Sequence, residues 1–296
     1  MKTVNCLLCG SQNYILLLKT RDFTMPDTDL FSLVKCARCG FIYLNPMPSQ
    51  ETIKRYYDEK YFESSNLGRL SNEIYRLQIA RVFLQLKHPE GRALDVGCGD
   101  GSLLFIMKEY GWDVYGVDIS DSAVKLAKEK LGTNNIFAGR LEDCRFPSAF
   151  FDVISLRHVL EHLNKPYDTL LEIKRILKED GILSITVPNI DSIYFHFFKE
   201  NWFHLDIPRH LYHFSVRTLK SLLNKAGFKV IKRGNPLEDP LDLFRDILQS
   251  VGIRQLVIPK YLLPAVSILA QTNLPFSYML SVIGRGTAIQ VFAKPK

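Results

Sequence analysis

No run of five or more lysines and arginines occurs in the 296 residues, although these number 38 against 31 aspartates and glutamates. The net charge of +7 is therefore spread along the chain, which argues against a nucleic-acid-binding tail. A diffuse basic excess would still suit an anionic ligand or a membrane surface. The N-terminus, MKTVNCLLCGSQ, lacks the apolar core of a signal peptide. A cytoplasmic chain with reduced thiols is the expectation that follows, so paired cysteines read first as metal ligands. Hydrophobic residues make up 47% and charged residues 23%, the composition of an ordinary globular protein with room for one large domain or two smaller ones.

Cysteine is scarce, with six residues, yet four of them are grouped. Cys6-x-x-Cys9 and Cys36-x-x-Cys39 each precede a glycine, in LLCGS and ARCGF. Two such knuckles can set four thiolates around one zinc ion, a closed shell that implies a structural metal. Disulfides or unrelated surface thiols are the alternative. FSLVK reads as a strand entering the second knuckle and FIYLN as one leaving it. A ribbon over residues 1–45 is too small for a large core, so the metal would supply folding energy. An aromatic linker, 46–70, carries Tyr56, Tyr57, Tyr61 and Phe62, which suit packing between domains or the lining of an entrance. Cys98 and Cys144 read as ordinary buried thiols.

From residue 71 the pattern changes. SNEIYRLQIARVFLQLK has helical apolar spacing, and strands and helices then alternate. RALDVG, DVYGVD, NIFAG, FDVISL, ILSITVP, FKVIKR and TAIQVFAK are the candidate strands. Ser120 and Ser215 are candidate helix N-caps, with Gly111 and Gly227 as terminators. The alternation predicts an α/β fold with a doubly wound, mostly parallel sheet, whose ligands lie beyond the carboxyl ends of the strands.

The first of these strands runs into ALDVGCGDGS. Gly97, Gly99 and Gly101 permit a tight turn and close backbone approach. Asp118 ends the next strand, where a carboxylate can take both hydroxyls of a ribose. The turn reads G-x-G-x-G, not the dinucleotide fingerprint, with Asp95 before it and Asp100 inside it. Carboxylates there would repel a pyrophosphate but tolerate a cationic amine or sulfonium, which favours S-adenosylmethionine over NAD.

In order, ALDVGCGDGS, VDIS and FDVISLRHVLEHL resemble the successive motifs of the class I S-adenosylmethionine-dependent methyltransferases, of the bacterial type with an N-terminal CxxC…CxxC ribbon. The likeness continues through GILSITVPN, spans 71 to 235, and includes TAIQVFAKP as the last strand. The resemblance implies a seven-stranded Rossmann-like sheet with its last strand antiparallel, in a methyltransferase domain covering 71–296. It places Asp95, Gly97, Cys98, Gly99, Asp100 and Gly101 around the methionyl part, Asp118 on the ribose and Ile119 against the adenine. Leu141 and Glu142, in GRLEDCRF, fall where the family contacts the adenine edge. The commoner family string has aspartate at the position of Arg140, so adenine recognition here is expected to use backbone groups.

HVLEH, residues 158–162, has the H-x-x-E-H spacing of a zinc hydrolase. It follows a strand at the ligand end, so the methyltransferase reading makes Arg157 and His158 part of the cofactor pocket wall. His158 is also a candidate general base, while Glu161 and His162 are read as buried residues that tie the loop. Beyond the fifth strand, a lid over 188–215 contains four of the seven histidines, in PNIDSIYFHFFKENWFHLDIPRHLYHFS. It can cover an acceptor site. WFHLDIPRHLYHFS resembles a string of ribbon-bearing bacterial methyltransferases linked to polysaccharide, lipid or small-metabolite biosynthesis. Among His204, His210 and His213, His210 is the first candidate for chemistry, against packing or capping roles.

No NPPY-like string follows the fourth strand, which weighs against DNA adenine methylation. The expected acceptor is a small molecule, a sugar or a lipid-linked group. An RNA acceptor gripped by the ribbon and a non-catalytic cofactor-binding module are the alternatives. Within an apolar helical insertion, 236–286, residues 261–284 carry no charge. Pro264 and Pro275 break that stretch into two short pieces. Docking on a membrane or another subunit and packing in the core are the two readings left open for it.

Overall fold

The computed structural model describes residues 1–23, 25, 29–57, 91–234, 236, 242–253 and 275–296. The expected helix after residue 71, and most of 46–70 and 254–284, fall outside these residues.

Two compact units result, each built from separate stretches of chain. The first takes Met1–Ser71, Pro188–Leu219 and Asn235–Ile289; the second takes Asn72–Val187, Lys220–Gly234 and Gln290–Lys296. The segments expected as lid and as insertion thus share a unit with the cysteine-bearing N-terminus.

In the first unit, β1 (Tyr14–Thr20), β2 (Phe31–Cys36) and β3 (Ile42–Leu44) form an antiparallel sheet. Its fourth strand is β9 (Tyr212–His213), which sets Tyr212 against Tyr43 and His213 against Ile42. This pairing joins positions about 170 residues apart, and aromatic packing explains why so short a strand holds. Phe41 lies 5.8 Å from Tyr212 in a near-parallel stack and 5.4 Å from Phe214. Tyr56 is buried edge-on against Phe31, within the same unit. The helix α1 (Gln50–Lys54) begins at Ser49, whose side chain accepts from the amide of Thr52.

The second unit holds the seven-stranded sheet, in the order β10-β11-β8-β7-β4-β5-β6. Its strands are β4 (Arg92–Val96), β5 (Asp113–Asp118), β6 (Ile136–Ala138), β7 (Phe151–Arg157), β8 (Leu177–Pro188), β10 (Phe228–Gly234) and β11 (Ala288–Pro295). The registers of β4 with β5 and β7, β5 with β6 and β7 with β8 are parallel, whereas β10 and β11 run antiparallel. Both faces of the central strands are apolar because helices cover them. Here α2 (Ser102–Glu109) and α3 (Asp121–Leu131) bury Leu103, Leu104, Met107, Val124, Ala127 and Leu131 against Ala93, Val114, Ile136 and Val153. Ser120 caps α3 through the amide of Ala123, and Ser215 receives the amide of Thr218 at the start of α6 (Val216–Lys225). The helix α4 (Pro166–Ile176) opens on a proline whose missing N–H costs nothing there.

Candidate functional site

The turn after β4 is held from two sides. Gly97 N and Cys98 N donate to Val117 O at 2.7 and 3.1 Å, and Gly99 N donates to Asp118 Oδ2 at 2.8 Å. The other oxygen of Asp118 accepts from Ser120 N at 2.9 Å. One carboxylate thereby fixes both the glycine turn and the start of α3. A carboxylate offers about four lone-pair directions, so two amides leave capacity for two hydroxyls. Gly97, Gly99 and Gly101 all take positive φ, at 74°, 54° and 73°. Their reasons differ. A Cβ on Gly97 would meet Val159 Cγ2 at 2.2 Å, whereas nothing lies within 4 Å of that position on Gly99. The open face at Gly99 is where a ligand can touch backbone. Gly101 instead lets α2 approach α3, since its Cβ would meet Ala127 and Leu131 at 3.0 Å.

Asp95 is buried and accepts a hydrogen bond from the Ser155 hydroxyl. Burial pushes its pKa up to about 7, with Asp118 adding in that direction against the Ser155 hydroxyl and the Arg157 charge. A cationic ligand nearby would favour the ionised form. Asp100 is exposed. It pairs with Lys130 and accepts from Ser102 N at 3.1 Å. Burial opposes its charge, but the Lys130 and Ser102 contacts outweigh that and lower its pKa. Cys98 packs its side chain in the core, so the turn offers a ligand its backbone. Cys144 is only half-buried, on a 3-10 turn, and not the fully buried thiol expected.

Ile119 stands 74% exposed just past β5, an apolar surface beside Asp118. Leu141 is buried at the start of the 3-10 turn, and the adjacent Glu142 accepts from Thr169 Oγ1 at 2.6 Å. Arg157 ends β7.

HVLEH forms a bend and a turn, not a helix, and His162 N donates to Val159 O at 3.0 Å. The two-histidine zinc motif presents its ligands from successive helical turns, a geometry this backbone does not have. His158 takes φ 53°, with its amide bonded to Thr186 O, and its Nδ1 lies 3.4 Å from Glu161 Oε1. Glu161 is fully buried, whereas His162 is half-buried, more open than expected.

In the first unit, the ligand atoms of Cys6, Cys9, Cys36 and Cys39 all lie within 4.8 Å of one another. Cys6 Sγ and Cys39 Sγ are 3.4 Å apart, Cys9 Sγ and Cys36 Sγ 3.5 Å, and all four thiols are free. Four sulfurs at about 2.3 Å from a tetrahedral zinc would stand roughly 3.8 Å apart, so the cluster fits such an ion with little movement. Burial pushes the Cys36 thiol up, but the amides of Cys39 and Arg38 and the neighbouring thiols outweigh it and hold its pKa at about 6.

The histidines of 188–215 divide. His210, the first candidate in the sequence, is buried, with Nδ1 2.9 Å from His204 O and Nε2 3.8 Å from Asp206 Oδ2. His213 is buried in β9. His204 Nε2 meets Asp242 Oδ2 at 2.9 Å, on α7 (Asp242–Ser250). Asp242 also accepts from Thr287 Oγ1 at 3.2 Å and Arg245 Nη1 at 3.3 Å. One turn on, Asp246 Oδ1 accepts from Phe203 N at 2.7 Å. Neither aspartate stood out in the sequence. Their only signal is D-x-x-x-D spacing, which puts both on one helical face.

Residues 69–233 match the family model described as "Methyltransferase domain". An uncharacterized protein of Methanocaldococcus jannaschii, MJ1252, is 35% identical over 144 residues, covering 48% of this chain and 53% of that protein. A ubiquinone biosynthesis O-methyltransferase of Glaesserella parasuis is 33% identical over 107 residues, covering 33% of this chain and 45% of that enzyme. The match spans about half the length of each of these two relatives. Among solved structures, a SAM-dependent methyltransferase from Archaeoglobus fulgidus superimposes with a TM-score of 0.56 at 22% identity, covering 80% of this chain and all of that one. That likeness shows the fold.

Proposed function

Because the chain belongs to the methyltransferase-domain family, we propose that it transfers a methyl group from S-adenosylmethionine to a small-molecule, sugar or lipid-linked acceptor. The observation that carries this reading is the Asp118 carboxylate. It is braced by the amides of Gly99 and Ser120 at the open glycine turn, with exposed Ile119 beside it. When bound, the cofactor supplies an electrophilic methyl on a sulfonium.

The chain's own part is to hold and align. Asp118 takes the ribose hydroxyls, the Gly99 backbone lies open to the methionyl part, and Asp95 offers negative charge beneath it. Alignment of reacting groups is worth roughly 7–11 kcal/mol of a barrier, so little further chemistry is asked of side chains. A general base is needed only for a neutral hydroxyl or carbon acceptor. His158 faces a carboxylate that can orient the ring. The acceptor class is drawn from the aromatic, histidine-rich segment 188–215 and from the O-methyltransferase relatives. The four clustered thiols take a zinc ion with a closed shell, which serves folding and not chemistry.

Calorimetric titration with S-adenosylhomocysteine tests the cofactor reading without an acceptor. The wild-type chain binds, and Asp118→Ala binds about tenfold more weakly or worse. Equal binding in both would remove Asp118 from the site, and no binding by the wild type would overturn the reading.

A further inference from the structure

Two helical segments of the first unit are built inside out. On α7 the buried side chains are Asp242, Asp246 and Gln249. The exposed ones include Ile247 and, just past the helix, Val251 at 66% and Ile253. The helical residues 275–283 repeat the pattern. Ser277 and Ser281 are each 1% exposed, beside buried Leu280, and the Ser281 hydroxyl donates to Pro236 O at 3.1 Å. Phe276, Tyr278, Met279, Val282 and Ile283 are exposed, the last of them at 61%. A helix in water turns its apolar stripe to the core and its polar residues to solvent. Here aspartate, glutamine and serine hold the inner positions, and the outer faces suit an apolar medium.

We propose that these outer faces dock on the surface of an anionic lipid bilayer, with their apolar side chains entering at headgroup depth. The make-up of the faces favours a bilayer over a protein partner. A protein interface carries a polar rim and roughly one hydrogen bond per 100–200 Å². The exposed side chains of 275–283 offer one hydroxyl, on Tyr278, and no charge. Charge complementarity points the same way. Asp242 and Asp246 are buried, and from 247 to 289 the sequence holds Arg254, Lys260 and Arg285 and no acidic residue. Arg285 is exposed, and it directly follows 261–284, the stretch without charge. A base at the border of an apolar segment can reach phosphate headgroups while the segment meets acyl chains. Among the described residues no helix is long and apolar enough to cross a membrane, and the docking proposed is to one leaflet.

Flotation of the full-length chain with lipid vesicles tests this. No S-adenosylmethionine is added, so the outcome is separate from that of the methyl-transfer reading. The wild type floats with vesicles of mixed phosphatidylcholine and phosphatidylglycerol, and about tenfold less with phosphatidylcholine alone. Val251→Glu combined with Ile283→Glu lowers binding to the mixed vesicles about tenfold, with unchanged far-ultraviolet circular dichroism. Ile283→Lys removes the same apolar side chain but adds a base, and it retains more of that binding than Ile283→Glu. A wild type that floats with neither vesicle overturns the proposal, including one that instead associates with a second copy through these residues. Equal flotation with the two vesicles, or binding that the paired glutamates leave unchanged, also overturns it.

Discussion

His204 Nε2 donates to Asp242 Oδ2 at 2.9 Å, across 38 residues of sequence, and both side chains are largely buried. Burial alone would push the imidazole down. The Asp242 charge, its hydrogen bond and the Asp246 charge outweigh that and raise His204 to about 9. The same contact lowers Asp242 against its own burial.

The pair sets a stability window. A histidine raised to about 9 contributes stability that is complete below its unfolded value of about 6.5 and is lost as pH climbs through 9. Thermal melts of the wild type should fall between pH 7 and 10. In Asp242→Asn the charge holding the proton is gone, and that slope should flatten. Equal slopes in the two proteins would show that the pair does not carry the dependence.

Asp246 also makes stability fall as pH rises, but over a lower window. Burial raises it to about 7, with Asp242 adding to that, against the Phe203 amide and the His204 charge. Between about pH 4 and 7 the folded state holds a proton that the unfolded state has released, so this group lowers stability as pH rises. Asp246→Asn keeps an acceptor for Phe203 N. It should stabilise the chain at pH 8 by on the order of 2 kcal/mol and leave it unchanged at pH 4, as read from urea unfolding. A gain of equal size at both pH values would point to packing instead.

Gly97→Ala combines a left-handed backbone with a Cβ placed 2.2 Å from Val159 Cγ2. The expected cost is about 1–3 kcal/mol, seen as a lowered melting temperature, together with weaker S-adenosylhomocysteine binding as the turn shifts. Adding Val159→Ala removes the clash but not the backbone strain, so recovery should be partial.

The four-thiolate cluster predicts one zinc per purified chain by atomic emission. Cys36→Ser should lose the metal and lower the melting temperature, and a strong chelator should do the same to the wild type. A metal-free chain with unaltered melting would remove zinc from the fold.

What the sequence disclosed follows from how local each signal is. All seven strands of the large sheet were legible because helices cover both faces, leaving short apolar runs bounded by turns. Ser120 and Ser215 announced helices α3 and α6 because an N-cap is a contact across three residues. The cysteine pairs were legible because metal-ligand spacing survives in sequence. β9 was not, since two residues carry no period and its partner lies in β3. The His204–Asp242 contact was hidden for the same reason of distance. The ion pair of Asp100 with Lys130 was not legible, because the two lie 30 residues apart. The helical turns that H-x-x-E-H requires are absent because the string directly follows β7, in a bend.

The union of β3 with β9 has a consequence for ancestry. A module whose strands come from before β4 and from between β8 and β10 cannot be gained or shed by a single cut and splice. Chimeras that exchange residues 1–45 alone between homologues would inherit a sheet lacking its matching fourth strand, so the first 45 residues and the 188–219 stretch should travel together.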